Sequence, residues 1–318
     1  MMQFKWPIIA SGAKGWTALD ARADGALLAV SVRRGAGGRP TVIKCAHSSA
    51  GLALSEALTE LAHQVGVVGF PWTLALQRGE YQMLVLAEPA VLASEMEHSL
   101  RWTMGNLIDY PVDEAHLTWM KIPTAELQPN HARHLYAVVA RHALIKTQQV
   151  LFQKCKLNLR AIDVRETAQR NVAALIEKKG EGLGLLRVAP DGVSISFTFA
   201  GELYLDRFIE QPLAEVLAAD ETGRQEIFER IALQVSRSID FISRNFPFMP
   251  VQRMVLAPLP APIGLRDYLA GNLSLPVEQL DLATLFDLSL TPELTASENQ
   301  SRYFIALGAA LRGMGNPP

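Results

Sequence analysis

The sequence predicts an α/β protein made of two related halves, and three observations lead there. Two Asp-Gly dipeptides, Asp24-Gly25 and Asp191-Gly192, each lie between apolar runs, the pattern of a tight β-hairpin. Each hairpin opens a three-strand meander followed by helix, strand and helix, so one order of elements occurs twice. At 318 residues, 49% hydrophobic and 19% charged, the chain is long and apolar enough for two globular cores.

In the first half, 17–22, 26–32 and 41–46 read as strands, the last two separated by the glycine-rich break at 35–38. Residues 52–65 carry helical apolar spacing, and 72–76 form a buried-type strand. A strand at 83–89, a helix at 94–107 and a strand at 116–122 read as a βαβ insert. Residues 135–140 are a further strand, followed by a helix to about 156. Another strand, 158–164, leads into a helix that stops near Lys178-Lys179-Gly180, basic residues and then glycine as a helix C-terminus prefers.

The second half repeats the opening with strands at 183–188, 193–199 and 202–208. A helix over 222–245 then places Phe228, Ile231, Val235, Ile239, Ile242 and Phe246 along one buried face. Arg230, Arg237 and Arg244 recur on another face, read as solvated. A strand at 253–258 and a helix at 265–273 follow. The polar stretch 281–299 reads as a mobile connection. A last helix, 302–312, carries the small-residue run from Ala306 to Ala310, which permits close packing.

Function by motif is mostly exclusion. A net charge of −2 gives no electrostatic footprint for nucleic acid. Two cysteines, Cys45 and Cys155, make no disulfide framework and suit the reduced cytoplasm. No apolar run approaches the ~20 residues of a membrane span, and no signal peptide opens the chain. Neither a GxxxxGK[ST] phosphate loop nor a GxSxG elbow occurs. The glycines of 180–184 lie between helix and strand, the reverse of a dinucleotide fingerprint. His131, His134 and His142 lack a second ligand set, and Asp113-Glu114 lacks an acid/base partner. No enzyme class emerges.

One long stretch carries a resemblance: Leu100–Trp119, LRWTMGNLIDYPVDEAHLTW, with a helix bearing Arg-Trp, an aromatic turn, then Pro-hydrophobic-Asp-Glu. With 159–171 (LRAIDVRETAQRN), 201–207 (GELYLDR), 233–241 (LQVSRSIDF) and 307–312 (LGAALR), it resembles the actin-like PilM-type proteins of type IV pilus assembly. It resembles most closely the MshI proteins of mannose-sensitive haemagglutinin (MSHA) pilus biogenesis. The resemblance implies an actin-like, ribonuclease H-like duplicated two-lobed fold with a βαβ insert in the first lobe. It places residues 1–178 and 300–318 in the first lobe, the insert at about 80–123, and 179–299 in the second lobe.

In such proteins two hairpin turns grip nucleotide phosphates, and the resemblance maps them onto this chain. The first turn keeps Asp20, but Arg22 stands where the family has glycine and Leu27 where it has lysine. In the second, Arg187 stands at the aspartate that would serve Mg²⁺ and Ala189 at the glycine; the adenosine-side loop contains Pro258. Gripping a phosphate with backbone N–H groups favours glycine and excludes proline. Pro190 and Pro258 lack donors, Asp24 and Asp191 bring negative charge toward the anion, and an arginine cannot coordinate a cation. The expectation is therefore no cofactor, with ATP and Mg²⁺ disfavoured, and no enzymatic activity.

The resemblance further implies a cytoplasmic scaffold peripheral to the inner membrane, reaching that membrane only through partners. Its partner would be a PilN-like inner-membrane protein, held by its N-terminal cytoplasmic peptide in a groove beside the insert. The residues assigned to this contact are Arg101, Trp102, Tyr110, Pro111 and Asp113; aromatics and arginine are the usual anchors. Trp119 is read as core packing. The alternatives are an actin-like ATPase that holds phosphates with Arg230, Arg237 and Arg244, and a GspL-type secretion protein, which would need a membrane span.

Overall fold

The computed structural model describes residues 14–22, 25–35, 38–48, 51–123 and 133–312. Strands β1 (Gly15–Ala21), β2 (Leu27–Arg33) and β3 (Thr41–Ser48) form the expected antiparallel meander. Helix α1 (Leu54–Val65) buries Ala57, Leu58, Leu61 and Val65. It leads to β4 (Trp72–Ala75), which runs parallel to β1. β1, β2 and β4 are almost wholly buried, as strands covered on both faces must be, which is why they read as continuous apolar runs and not as alternation.

The insert follows: β5 (Tyr81–Ala87), α2 (Met96–Met104), β6 (Ala115–Ile122) and β7 (His134–Arg141). Its sheet order is β5-β7-β6, with both pairings antiparallel. The βαβ path is present, but β7 lies between its two strands, so the insert's sheet reaches Arg141, past the expected 80–123. Leu100 and Met104 of α2 pack on this sheet with Leu135, Ala137 and Val139, and Trp119 joins them. On the other side Ile122 and Tyr136 enter the second-lobe core.

The chain returns to the first lobe through α3 (His142–Lys154), β8 (Leu159–Asp163) and α4 (Arg165–Ile176). The second lobe opens with β9 (Gly182–Ala189), β10 (Gly192–Phe199) and β11 (Glu202–Ile209). α5 (Leu213–Ala218) and α6 (Glu221–Asn245) follow, then β12 (Val251–Leu256), α7 (Leu265–Asn272) and β13 (Val277–Gln279). Asp220 caps α6 by accepting from the Gly223 N–H at 2.8 Å. The apolar face of α6 is buried as its spacing requires, and Arg230, Arg237 and Arg244 lie on its exposed side.

The duplication is explicit in the sheets. The first lobe has order β3-β2-β1-β4-β8 and the second β11-β10-β9-β12-β13, each an antiparallel meander extended by two parallel strands. This is the ribonuclease H-like arrangement, present twice.

The stretch 281–299, expected to be a mobile connection, is instead built into the core. Leu282, Phe286, Leu288 and Leu294 are buried there, and Asp287 bridges Thr41. The chain ends in α8 (Ser297–Ala310), which crosses α4. At the crossing a Cβ on Gly308 would stand 2.2 Å from the Ala168 carbonyl oxygen, so glycine sets the approach.

Candidate functional site

The lobes enclose a cleft of about 490 Å³ lined by Asp20, Arg22, Arg78, Arg165, Arg187 and Asp191, with Pro260 at its edge. Asp20 comes from the end of β1 and Arg187 from β9. Asp191 sits in the two-residue β9–β10 turn, closed by the Ala189–Gly192 pair. Arg165 opens α4.

Ion pairs fill the inner wall. Arg165 Nη2 lies 3.2 Å from Asp20 Oδ1, and its Nε lies 3.8 Å from Asp191 Oδ2. Arg187 Nη1 is 3.9 Å from Asp191 Oδ1, and Arg78 Nε is 3.8 Å from Asp191 Oδ2. Behind them Glu166 accepts from Arg78 Nη2 at 3.0 Å and from the Tyr81 hydroxyl at 2.5 Å. Arg312 holds Asp163 at 2.8 Å.

Burial governs the protonation of this wall. It pushes the Asp20 carboxyl above its ordinary value, against the pull of Arg165. It lowers Arg187 to about 10, helped by repulsion from Arg165. Burial and then neighbouring Glu166 drive Asp206, on β11, well above the usual carboxylate range. Burial and Glu166 likewise raise Tyr81.

Asp20, Arg22, Arg187 and Asp191 therefore meet in the cleft, as their mapping onto phosphate turns implies. Asp24 lies outside the described residues. Leu27 points into the first-lobe core and Ala189 is buried. Pro258 is buried too, and Pro260 is the proline that reaches the cleft. Arg230, Arg237 and Arg244 are not among the cleft-lining residues, and Arg230 donates instead to Gln211 at 2.6 Å. Sequence reasoning missed Arg78, Arg165 and Glu166. A signal was available for two of them: Arg165-Glu166 is a charged pair at the strand-to-helix junction, where 159–171 already carries part of the resemblance. Chemically, the acids that could offer oxygens to a cation face arginines. Among the described residues no group of three or more His, Cys, Asp and Glu is placed to hold a metal ion.

The second candidate surface is the insert face. Trp102 on α2 is 84% exposed. Arg101 beside it turns inward: Nη1 donates to the carbonyls of Val112 at 2.8 Å and Ala115 at 3.1 Å, and the side chain pairs with Glu97. Those bonds pin α2 to the 110–115 turn. Pro111 and Asp113 are exposed. The Tyr110 ring is covered by the Arg141 guanidinium at 4.2 Å, and His116 faces His142 at 6.4 Å, so the turn sits where the insert meets α3 of the first lobe. Trp119 is packed, as its reading required.

No protein-family model matches the chain, and no curated protein does. Solved structures do. A chain of the PilM-PilN type IV pilus biogenesis complex superposes with a TM-score of 0.70, covering 96% of this chain and 100% of that chain at 18% identity. The fold is actin-like and two-lobed. Lower overlays are found with the cytoplasmic domain of EpsL, an inner-membrane component of the type II secretion system of Vibrio cholerae (TM-score 0.47, 10% identity, 77% and 83% of the two chains). Another is a Bacteroides thetaiotaomicron protein with an actin-like ATPase fold (TM-score 0.48, 9% identity, 93% and 99%). The fold assignment rests on the two sheet orders and the first overlay. No helix of the described residues is long and apolar enough to cross a membrane.

Proposed function

We propose that the chain is a cytoplasmic adaptor of a type IV pilus assembly machine, of the MSHA kind, that acts by binding and not by turning over ATP. Its partner is a PilN-like inner-membrane protein, whose N-terminal cytoplasmic peptide docks against the insert and draws the adaptor to the membrane. The observation that carries this reading is the overlay of 96% of this chain on the full length of a chain of the PilM-PilN complex. Trp102 supports the location: a large aromatic left in water, on a helix that Arg101 ties to the 110–115 turn, is the kind of anchor a peptide buries.

The cleft supports the second half of the proposal. A magnesium nucleotide needs a free carboxylate and turns rich in N–H donors. Here Asp20 is engaged by Arg165, Arg187 replaces the expected second acid, and Pro190 stands in the second turn. The test is a pull-down on the immobilised N-terminal peptide of the PilN-like protein. Wild type is retained and the Trp102→Ala, Tyr110→Ala double variant is lost; equal retention of a folded double variant sinks the assignment.

A further inference from the structure

The first-lobe sheet brings a set of exposed cations to one of its ends. β1, β4 and β8 run parallel and start together there, and β2 ends beside them, with Gly15 opposite Arg33 and Trp72 opposite Leu159. Lys14, Arg33, Arg34, Lys154, Lys156 and Arg160 stand at this end, and all are exposed. No Asp or Glu occurs in the segments that form it, 33–40, 66–71 and 154–160. Lys14, Arg33, Lys154, Lys156 and Arg160 make no ion pair among the described residues, whereas exposed cations elsewhere, such as Lys121, Arg141 and Arg266, face acids. Acids on the bordering elements are engaged already: Asp287 accepts from Thr41 and from the Ser289 N–H, and Glu60 accepts from Gln64. Arg39, on the loop after Arg34, donates to the Ala283 and Phe286 carbonyls. An aliphatic loop tip lies in the middle. With sheet order β3-β2-β1-β4-β8, the loop 66–71 before β4 falls between Lys14 and the 154–160 segment, and Val68 on it is fully exposed.

A chain of net charge −2 that gathers unpaired cations at one end has a positive field there whatever its total. We propose that this end of the first lobe docks directly on an anionic lipid bilayer, with Val68 entering the interface and Lys14, Arg33, Lys154, Lys156 and Arg160 over the acidic headgroups. Lys and Arg within a Debye length of an anionic leaflet are drawn to it, and their alkyl stems cover apolar surface while the charged heads stay in water. A bilayer fits this face better than nucleic acid because the face is not basic alone. Val68 at its centre gains nothing from a phosphate backbone. Residues 1–13, which precede Lys14 in the chain, include Phe4, Trp6, Ile8 and Ile9 beside Lys5, the aromatic and aliphatic composition of interfacial segments. α3 runs from His142, where the insert meets the first lobe, to Lys154 on this face, about 20 Å at 1.5 Å per residue. The insert joint is thus one helix length from the docked end, within reach of a peptide tethered to a membrane protein.

The experiment is co-sedimentation of the full chain with vesicles of phosphatidylcholine and with vesicles that carry about one-third phosphatidylglycerol as the anionic lipid. No PilN-like protein is present, so the outcome is independent of the adaptor reading. Binding is expected to the anionic vesicles and not to the neutral ones, and to weaken about ten-fold or more between about 0.05 M and about 0.5 M salt as screening sets in. The triple variant Arg33→Glu, Lys154→Glu, Lys156→Glu is expected to fold, because these side chains are exposed and make no ion pair, and to bind about ten-fold or more weakly. Val68→Ser is expected to keep its melting temperature and to bind several-fold more weakly, because the apolar contact is lost. Equal binding to neutral and anionic vesicles overturns the proposal, and so does undiminished binding by either folded variant. Tighter binding to a duplex oligonucleotide than to the anionic vesicles overturns it in favour of nucleic acid. If the triple variant fails to fold, Val68→Ser decides, and full affinity in that variant overturns the proposal.

Discussion

Arg165 Nη2 stands 3.2 Å from Asp20 Oδ1 while the Nε of the same guanidinium reaches toward Asp191 in the other lobe. One side chain at the start of α4 therefore ties β1 of the first lobe to the hairpin turn of the second. Because Asp20 is buried, truncating its partner leaves an uncompensated charge. Arg165→Ala should cost about 3–5 kcal/mol in urea unfolding, and Asp20→Asn in the same chain should recover much of it. A loss below about 1 kcal/mol would show that the pair contributes nothing net.

The α4–α8 crossing gives a second prediction. Gly308→Ala places a Cβ 2.2 Å from the Ala168 carbonyl oxygen, so the helices must separate. The expected cost is about 1–3 kcal/mol, read as a lower melting temperature. Gly271→Ala, where an added Cβ meets open space, is the control.

On the insert, two adjacent residues should behave oppositely. Trp102→Ala should change stability by no more than about 0.5 kcal/mol, because the side chain is exposed, and weaken peptide binding by about 2 kcal/mol or more. Arg101→Ala should destabilise the chain by about 1–3 kcal/mol, because it removes the two part-buried, charge-assisted bonds that tie α2 to the Val112 and Ala115 carbonyls. Parallel melts and peptide titrations of the two variants separate the roles.

Asp206 sets a pH dependence whose sign can be worked out. Burial and Glu166 raise its folded-state pKa well above the ordinary 3.8, so folding takes up a proton there. Its contribution favours the fold at low pH and is lost as pH rises from 3.8 through the raised folded value. Asp20 acts in the same direction. Asp206→Asn removes the titration, so the stability it retains between about pH 5 and about pH 8 should exceed that of wild type. Urea melts across that range check this; parallel curves would assign the slope elsewhere.

Much of the fold was legible because the signals were local. The Asp-Gly turns and apolar runs placed both meanders, and the periodicity of α6 named its buried face. β7 was not assigned to the insert because antiparallel partner choice depends on which edges meet in space, and His134–Arg141 reads the same whether it pairs with β5 and β6 or with the first-lobe sheet. The 281–299 stretch was misjudged because Leu282, Phe286, Leu288 and Leu294 are spaced for neither helix nor strand. In the cleft, Asp20, Arg187 and Asp191 were legible through the duplicated hairpins. Arg78 arrives from a loop and pairs across the fold with Glu166, a relation that no sequence window contains.

Calorimetry of the full chain with the N-terminal peptide of a PilN-like protein, in EDTA and without nucleotide, separates a nucleotide-independent adaptor from an ATP-driven one. The account predicts saturable binding tighter than about 100 μM that Mg-ATP does not change and that Trp102→Ala abolishes. Binding that appears only when Mg-ATP is added, or that survives Trp102→Ala intact, would contradict it.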